Sequence, residues 1–266
     1  MSQPASDKAA LIKRAVIKNF TQSPEAYDRF ETRWGMFAEL TRRLILAVGL
    51  APTDRVLDVG CGSGASCGPL VEVLGQGELV GLDITPEMLV RAREAFRGRE
   101  RVSFVQGDAS EMDRVVAAPF DAVLYTASAF LIPDLSASLA AAVRVLKPGG
   151  RCGLNYLGGY FGLDGDDLLE RAEKEAQTGL SPKRPIYWEQ TVRVFEDHFT
   201  EVETVTENLE YPREAWRMFF AIPAQSAGLF PRLAYDDRQK MIDQLETLFP
   251  DQVIFRWRTL TGTVAG

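Results

Sequence analysis

The chain has 266 residues, 46% of them apolar and 25% charged, with a formal net charge of −7. That balance belongs to an ordinary globular protein of one large or two small domains. It excludes a phosphate-tracking nucleic-acid surface, which needs clustered Lys and Arg, and a membrane span, which needs an unbroken apolar run of ~18 residues. Lys8, Lys13, Arg14 and Lys18 interrupt any secretory leader. Three cysteines, an odd number, fit small buried packing residues in a reducing compartment, so a cytoplasmic location is expected.

In chain order, residues 8–46 predict two or so amphipathic helices. Tyr27, Phe30, Trp34 and Phe37 lie at helical spacing, and Lys13, Arg14 and Lys18 form a solvated face. Residues 56–64, Val-Leu-Asp-Val-Gly-Cys-Gly-Ser-Gly, form a short strand that ends in an acid and turns on alternating glycines; 65–74 continue as a helix. Glycines permit positive φ and close backbone approach, and the helix start leaves N–H groups unpaired. The loop is therefore built to hold a polar ligand at the carboxyl end of a strand. Gly60, Gly62 and Ala65 also satisfy the dinucleotide pattern Gly-x-Gly-x-x-Gly/Ala, so an NAD-dependent oxidoreductase stays open here.

Residues 78–83 predict a second strand ending in Asp83, which follows Gly60 by 23 residues, a spacing that suits an acid accepting from ribose hydroxyls. Thr85 and Pro86 open the next helix as cap and first position. Residues 102–105 are a third strand followed by Gly107-Asp108-Ala109, residues 120–125 a fourth, and 146–151 a turn into a fifth at 152–157. Residues 158–162 are a flexible glycine segment, 168–176 a helix, 178–186 a loop, 188–199 a sheet-packing helix and 202–205 a sixth strand. Residues 212–248 are helical and aromatic-rich, and 253–264 form a last strand. The alternation predicts a parallel α/β sheet with helices on both faces, and Asp58, Asp83 and Asp108 end three successive strands on its ligand-binding edge.

Residues 56–64, 81–85, 107–109, 120–134 and 146–151, over about 55–157, together resemble class I S-adenosylmethionine-dependent methyltransferases. The likeness is to the small-molecule group that includes quinone-pathway and natural-product enzymes. The resemblance implies a seven-stranded Rossmann-like sheet whose last strand is antiparallel and enters between two others. It implies one domain: a helical lid (1–50), a cofactor core (51–211), a helical substrate cover (212–250) and the last strand (251–266). The cofactor would be S-adenosyl-L-methionine, leaving S-adenosyl-L-homocysteine as product.

By the same resemblance, Gly60 and Gly62 pass under the methionine part, Asp58 faces its amino group, and Asp83 holds the ribose. Asp108 and the Ala109 N–H meet the adenine, Ile84 packs on its face, and Thr126 lines the reactive end. Tyr27 closes the lid over the methionine, where an aromatic face attracts a sulfonium. Tyr160, Trp216, Phe219 and Phe220 are the candidate lining for a small apolar or aromatic acceptor, which would be methylated at oxygen, nitrogen or carbon. Acids at three strand ends without a basic clamp suit a cationic ligand better than a pyrophosphate. The segment after the fourth strand holds Ala129-Phe130-Leu131-Ile132 where related enzymes often carry histidine, and the one histidine, His198, ends a helix elsewhere. No catalytic residue and no metal ligand is assigned, nor an oligomeric state. The competing readings are the oxidoreductase and a non-catalytic partner that binds the same cofactor.

Overall fold

Short β-branched runs, too apolar to face water on either side, form the centre of a single sheet. The computed structural model describes residues 3–176 and 187–266. Its strands are β1 (Arg55–Val59), β2 (Glu78–Asp83), β3 (Val102–Gln106), β4 (Phe120–Tyr125), β5 (Leu146–Phe161), β6 (Thr200–Pro212) and β7 (Gln252–Thr263). They lie in the order β3-β2-β1-β4-β5-β7-β6. β1 to β5 are parallel, and β7 runs antiparallel between β5 and β6. The chain direction of winding reverses between β1 and β4, which opens a crevice at their carboxyl ends.

Helices α1 (Gln3–Thr21), α2 (Pro24–Trp34) and α3 (Met36–Val48) precede the sheet. α4 (Cys67–Val73), α5 (Pro86–Ala95), α6 (Leu135–Val145), α7 (Leu168–Ala176) and α8 (Trp188–Glu196) connect strands. α9 (Arg213–Phe220), α10 (Pro223–Leu229) and α11 (Tyr235–Glu246) lie between β6 and β7. Side chains alternate across the central strands. Val56, Ala122 and Leu124 pack with Leu44 and Val48 of α3 and Leu70 of α4. Leu57, Val59, Val123 and Tyr125 pack with Leu139 and Ala142 of α6. Coverage of both faces is why these strands carry almost no polar alternation.

Several expectations meet longer or shifted elements. The residues before β1 form three helices, because Gly35 adopts φ 60° and breaks the run between α2 and α3. The helix after the glycine loop starts at Cys67, not at residue 65, since tight turns (Gly64 N to Cys61 O, Cys67 N to Gly64 O, both 3.0 Å) take up the loop. β5 runs through the glycine segment 158–161 with an irregularity between Leu157 and Gly159. β6 continues to Pro212, well past residue 205. In both cases β7 supplies a long antiparallel partner that a local pattern does not reveal. The expected loop at 178–186 lies outside the described residues. β6 is a mostly exposed edge strand; its outward glutamates at 201, 203 and 210 discourage pairing with another chain.

The buried centre of the sheet should dominate stability. Leu57→Ala, at a fully buried site in β1, is expected to cost ~2–5 kcal/mol in urea unfolding. Val205→Ala on the exposed edge, 48% accessible, should change it by less than ~1 kcal/mol. Comparable losses at the two sites would contradict this packing.

Candidate functional site

The carboxyl ends of β1, β2 and β4 and the loop after β3 surround a cleft of about 870 Å³, its open mouth included. Its floor is the loop after β1. Gly60 donates to Leu82 O at 2.7 Å, and Gly62 donates to Asp83 Oδ2 at 2.9 Å. Gly60 has φ 75°, and a Cβ there would lie 2.5 Å from Ser128 Cβ. Ser128 in turn donates to Val59 O at 2.6 Å, tying the end of β4 to the end of β1. The loop therefore depends on glycine for both conformation and space. Beside it, Ala127 is held at φ 51°, a left-handed conformation that a non-glycine residue adopts only when its surroundings impose it.

Asp83 accepts from Gly62 N with one oxygen and from Thr85 N (2.7 Å) with the other. Each oxygen keeps a further acceptor position, so the acid can brace the loop and still receive a pair of hydroxyls. Burial pushes its carboxyl above the ordinary value, opposed by those backbone donors. Asp108 sits at the far end. Its Oδ1 accepts from Ser110 N (2.9 Å) and Oγ (2.7 Å), and its Oδ2 lies 2.5 Å from Lys13 Nζ. Burial works against its charge, but Lys13 and Ser110 outweigh that and hold the carboxyl below the usual range.

Asp58 does not line the cleft wall. It is fully buried beneath the loop, on the α4 side, where Ser66 Oγ (2.5 Å) and Cys67 Sγ (3.6 Å) donate to Oδ2. Its Oδ1 has no hydrogen-bond donor among the described residues. Burial chiefly, with nearby Asp83 adding to it, raises its pKa to about 6 against the donors at Ser66 and Cys67. Thr126 Oγ1, on the cleft wall, is also buried without a partner among the described residues. An orphaned acid oxygen and an orphaned hydroxyl beside an acid-lined cleft fit a ligand carrying an ammonium group.

Tyr27 of α2 faces the cleft and stacks on Phe37, ring centroids 4.7 Å apart. Burial and then the carboxylates of Glu31, Asp58, Asp83 and Asp28 push its hydroxyl pKa well up, so it stays a donor at neutral pH. Ser63 of the loop donates to Asp28 Oδ1 at 2.7 Å and docks α2 on the loop. Glu31 accepts from Phe37 N (3.0 Å) and Ala38 N (2.8 Å), fixing the corner into α3.

Of the residues singled out in the sequence, Tyr27, Gly60, Gly62, Asp83, Ile84, Asp108, Ala109 and Thr126 surround this cleft. The four proposed acceptor contacts do not. Tyr160, Trp216, Phe219 and Phe220 are almost wholly buried and lie in the core. Tyr160 packs edge-on to Phe220 (5.4 Å) and Phe255 (5.1 Å), Phe219 to Phe30 (5.4 Å), and Trp216 sits 4.4 Å from Phe249. Aromatic side chains bury large areas and favour such edge contacts, so they anchor the insertion to the sheet instead of facing a ligand. The insertion reaches the cleft through Gln225 of α10. Sequence reading also passed over Lys13, Val16 and Phe20, three and four residues apart on one face of α1, and Leu131 and Pro133 after β4. Lys13 had the look of a solvated face; it is instead the ion-pair partner of Asp108. The three cysteines are free and buried.

A doubly wound sheet with an inserted antiparallel strand, carrying a glycine loop and acids at the ends of successive parallel strands, defines the class I methyltransferase fold. Residues 56–150, about a third of the chain, match the family model described as a methyltransferase domain. It is 37% identical over 142 residues to aklanonic acid methyltransferase DauC of Streptomyces sp. strain C5, covering 52% of this chain and 63% of that one. It is 41% identical over 121 residues to nocamycin O-methyltransferase of Saccharothrix syringae, covering 44% and 43%. The match thus spans about half the length of these curated relatives. Phosphoethanolamine N-methyltransferase 2 of Haemonchus contortus, solved with S-adenosylhomocysteine, shares the fold at TM-score 0.54 and 19% identity, over 88% of this chain and 53% of that one. No described helix is long and apolar enough to cross a membrane.

Asp58 makes a signed prediction about pH. With a folded pKa near 6 against an ordinary 3.8, the folded protein holds a proton between these values that the unfolded chain has released. Stability from this group is therefore greatest below pH ~4, falls as pH rises to ~6 and is flat above. Without ligand, Asp58→Asn should gain up to ~2–3 kcal/mol on the wild type between pH 4.5 and 7. Parallel stability curves for the two proteins would show that Asp58 carries no such cost.

Proposed function

We propose that this protein transfers a methyl group from S-adenosyl-L-methionine to a small, apolar or aromatic acceptor, releasing S-adenosyl-L-homocysteine. The observation that carries this reading is the buried Asp58 oxygen with no donor among the described residues, set beside a cleft edged by two further acids. Support also comes from the two relatives, whose names state methylation of aklanonic acid and O-methylation in the nocamycin series.

In this reading Asp83 holds the ribose hydroxyls, Asp108 and the Ala109 N–H meet the adenine, and Ile84 packs on the base. Gly60 and Gly62 leave room for the methionine chain, and Asp58 answers its ammonium through space or a bridging water. Thr126 and the Tyr27 ring flank the reactive end. The bound cofactor supplies an already activated methyl on a sulfonium, so the protein's own contribution is alignment and the exclusion of water. Val16, Phe20, Phe37, Leu131, Ile132 and Pro133 give the cleft apolar walls, which favour a lipophilic acceptor. Tyr27, kept protonated first by burial and then by the carboxylates around it, can donate a hydrogen bond but is not a base. His198 is not among the residues lining the cleft, lies against Ser136 of α6 (3.3 Å) and takes no part.

A dinucleotide is the poorer occupant. Lys13 is the one cationic side chain among the described cleft residues and is already paired with Asp108; Arg91 turns away towards Glu25 (3.8 Å). A small-molecule partner, a cytoplasmic setting and no role for nucleic acid complete the proposal.

S-Adenosylhomocysteine should raise the melting temperature and NAD should not, because a ligand that binds only the folded state stabilises it. Asp83→Ala should weaken S-adenosylhomocysteine by at least ~1.5–3 kcal/mol in calorimetry, since it loses the ribose contacts and also frees Gly62. Stabilisation by NAD alone, or undiminished affinity in Asp83→Ala, would reject the assignment.

A further inference from the structure

α1 lines the cleft and is fastened at its middle and at its carboxyl end. Near its carboxyl end, Thr21 Oγ1 donates to Glu87 Oε2 of α5 at 3.0 Å, and Asn19 Oδ1 accepts from Arg238 of α11 at 3.4 Å. Further along, Lys13 Nζ reaches Asp108 Oδ2 (2.5 Å) and Ser110 Oγ (3.3 Å). Between these fastenings Val16 and Phe20 close over the cleft. The Lys13 side chain is 28% exposed and that of Asp108 23%, beside the apolar Val16 and Ala109, so their attraction is less screened than between free surface charges.

The acceptor positions of Asp108 are nearly filled. A carboxylate offers about four; Ser110 N and Oγ use both on Oδ1, and Lys13 uses one on Oδ2. The remaining position is on the same oxygen that Lys13 holds. An amino group on a bound nucleoside would share that oxygen with the cation.

We propose that Lys13 is a positioning residue for the nucleoside: its pair with Asp108 latches α1 over the base end of the cleft, and the cofactor leaves only when that pair opens. This rests on the cofactor reading above. α1 then forms a wall of the nucleoside pocket, and one carboxylate serves both the ligand and the element that retains it. Loss of the latch should quicken escape more than it hinders arrival, because an open mouth admits ligand at least as easily.

Stopped-flow displacement of bound S-adenosylhomocysteine from wild type, Lys13→Met and Lys13→Arg tests this. Lys13→Met should release it about three- to tenfold faster, the loss expected for one partly buried ion pair, with an association rate that does not fall. Lys13→Arg, which keeps the charge, should restore release to within about twofold of wild type. The melting temperature without ligand should move by no more than ~2 °C in either variant. Unchanged or slower release in Lys13→Met, or equal acceleration in Lys13→Arg, overturns the latch while leaving the cofactor reading intact. Failure of the wild type to bind S-adenosylhomocysteine overturns that reading, and the latch with it.

Discussion

One oxygen of one buried carboxylate organises the site. Asp58 is carried on β1 into the covered interior, where Ser66 and Cys67 at the start of α4 satisfy Oδ2 and nothing described satisfies Oδ1. A charge held so has little reason to stay unless a cation comes to it. The surrounding geometry keeps that position available. Gly60 presses on Ser128, Ser128 ties β4 to β1, and Asp83 braces Gly62. The loop is thus set before ligand arrives, and binding need not meet the cost of ordering it.

The elements over the cleft are held by a different kind of force. α9 is sunk into the sheet by Trp216, Phe219 and Phe220, whose rings interlock with Tyr160 of β5, Phe255 of β7 and Phe30 of α2. That cluster couples α2 to the insertion through apolar contact, while Ser63 and Asp28 couple α2 to the glycine loop through a hydrogen bond. Tyr27 is positioned by both. α1, by contrast, is fastened at its middle and carboxyl end by a few polar and ionic contacts. Weak fastenings suit the part that must yield when ligand passes, and strong ones suit the part that must not.

What the sequence disclosed follows from the range of the forces involved. Gly60, Gly62, Asp58, Asp83 and Asp108 were legible because strand ends and glycine turns are local, and a parallel sheet places all strand ends on one edge. Trp216, Phe219 and Phe220 lie in the core and not on the cleft, since helical spacing is the same for a residue in the core and one facing a pocket, and Tyr160 joins them there from β5, whose pairing with β7 a local pattern does not reveal. The insertion's one cleft residue, Gln225, had no pattern at all. Lys13 escaped notice because its partner lies 95 residues away in the loop after β3, as did the full lengths of β5 and β6, which depend on pairing with β7 at the far end of the chain.

A crystal structure with S-adenosylhomocysteine bound bears most directly on this account. The account predicts the ligand's ammonium within reach of Asp58, directly or through one water, its ribose hydroxyls on Asp83 and its adenine amino group on Asp108. A ligand seated elsewhere, or one at this edge with Asp58 Oδ1 still lacking a partner, would contradict it.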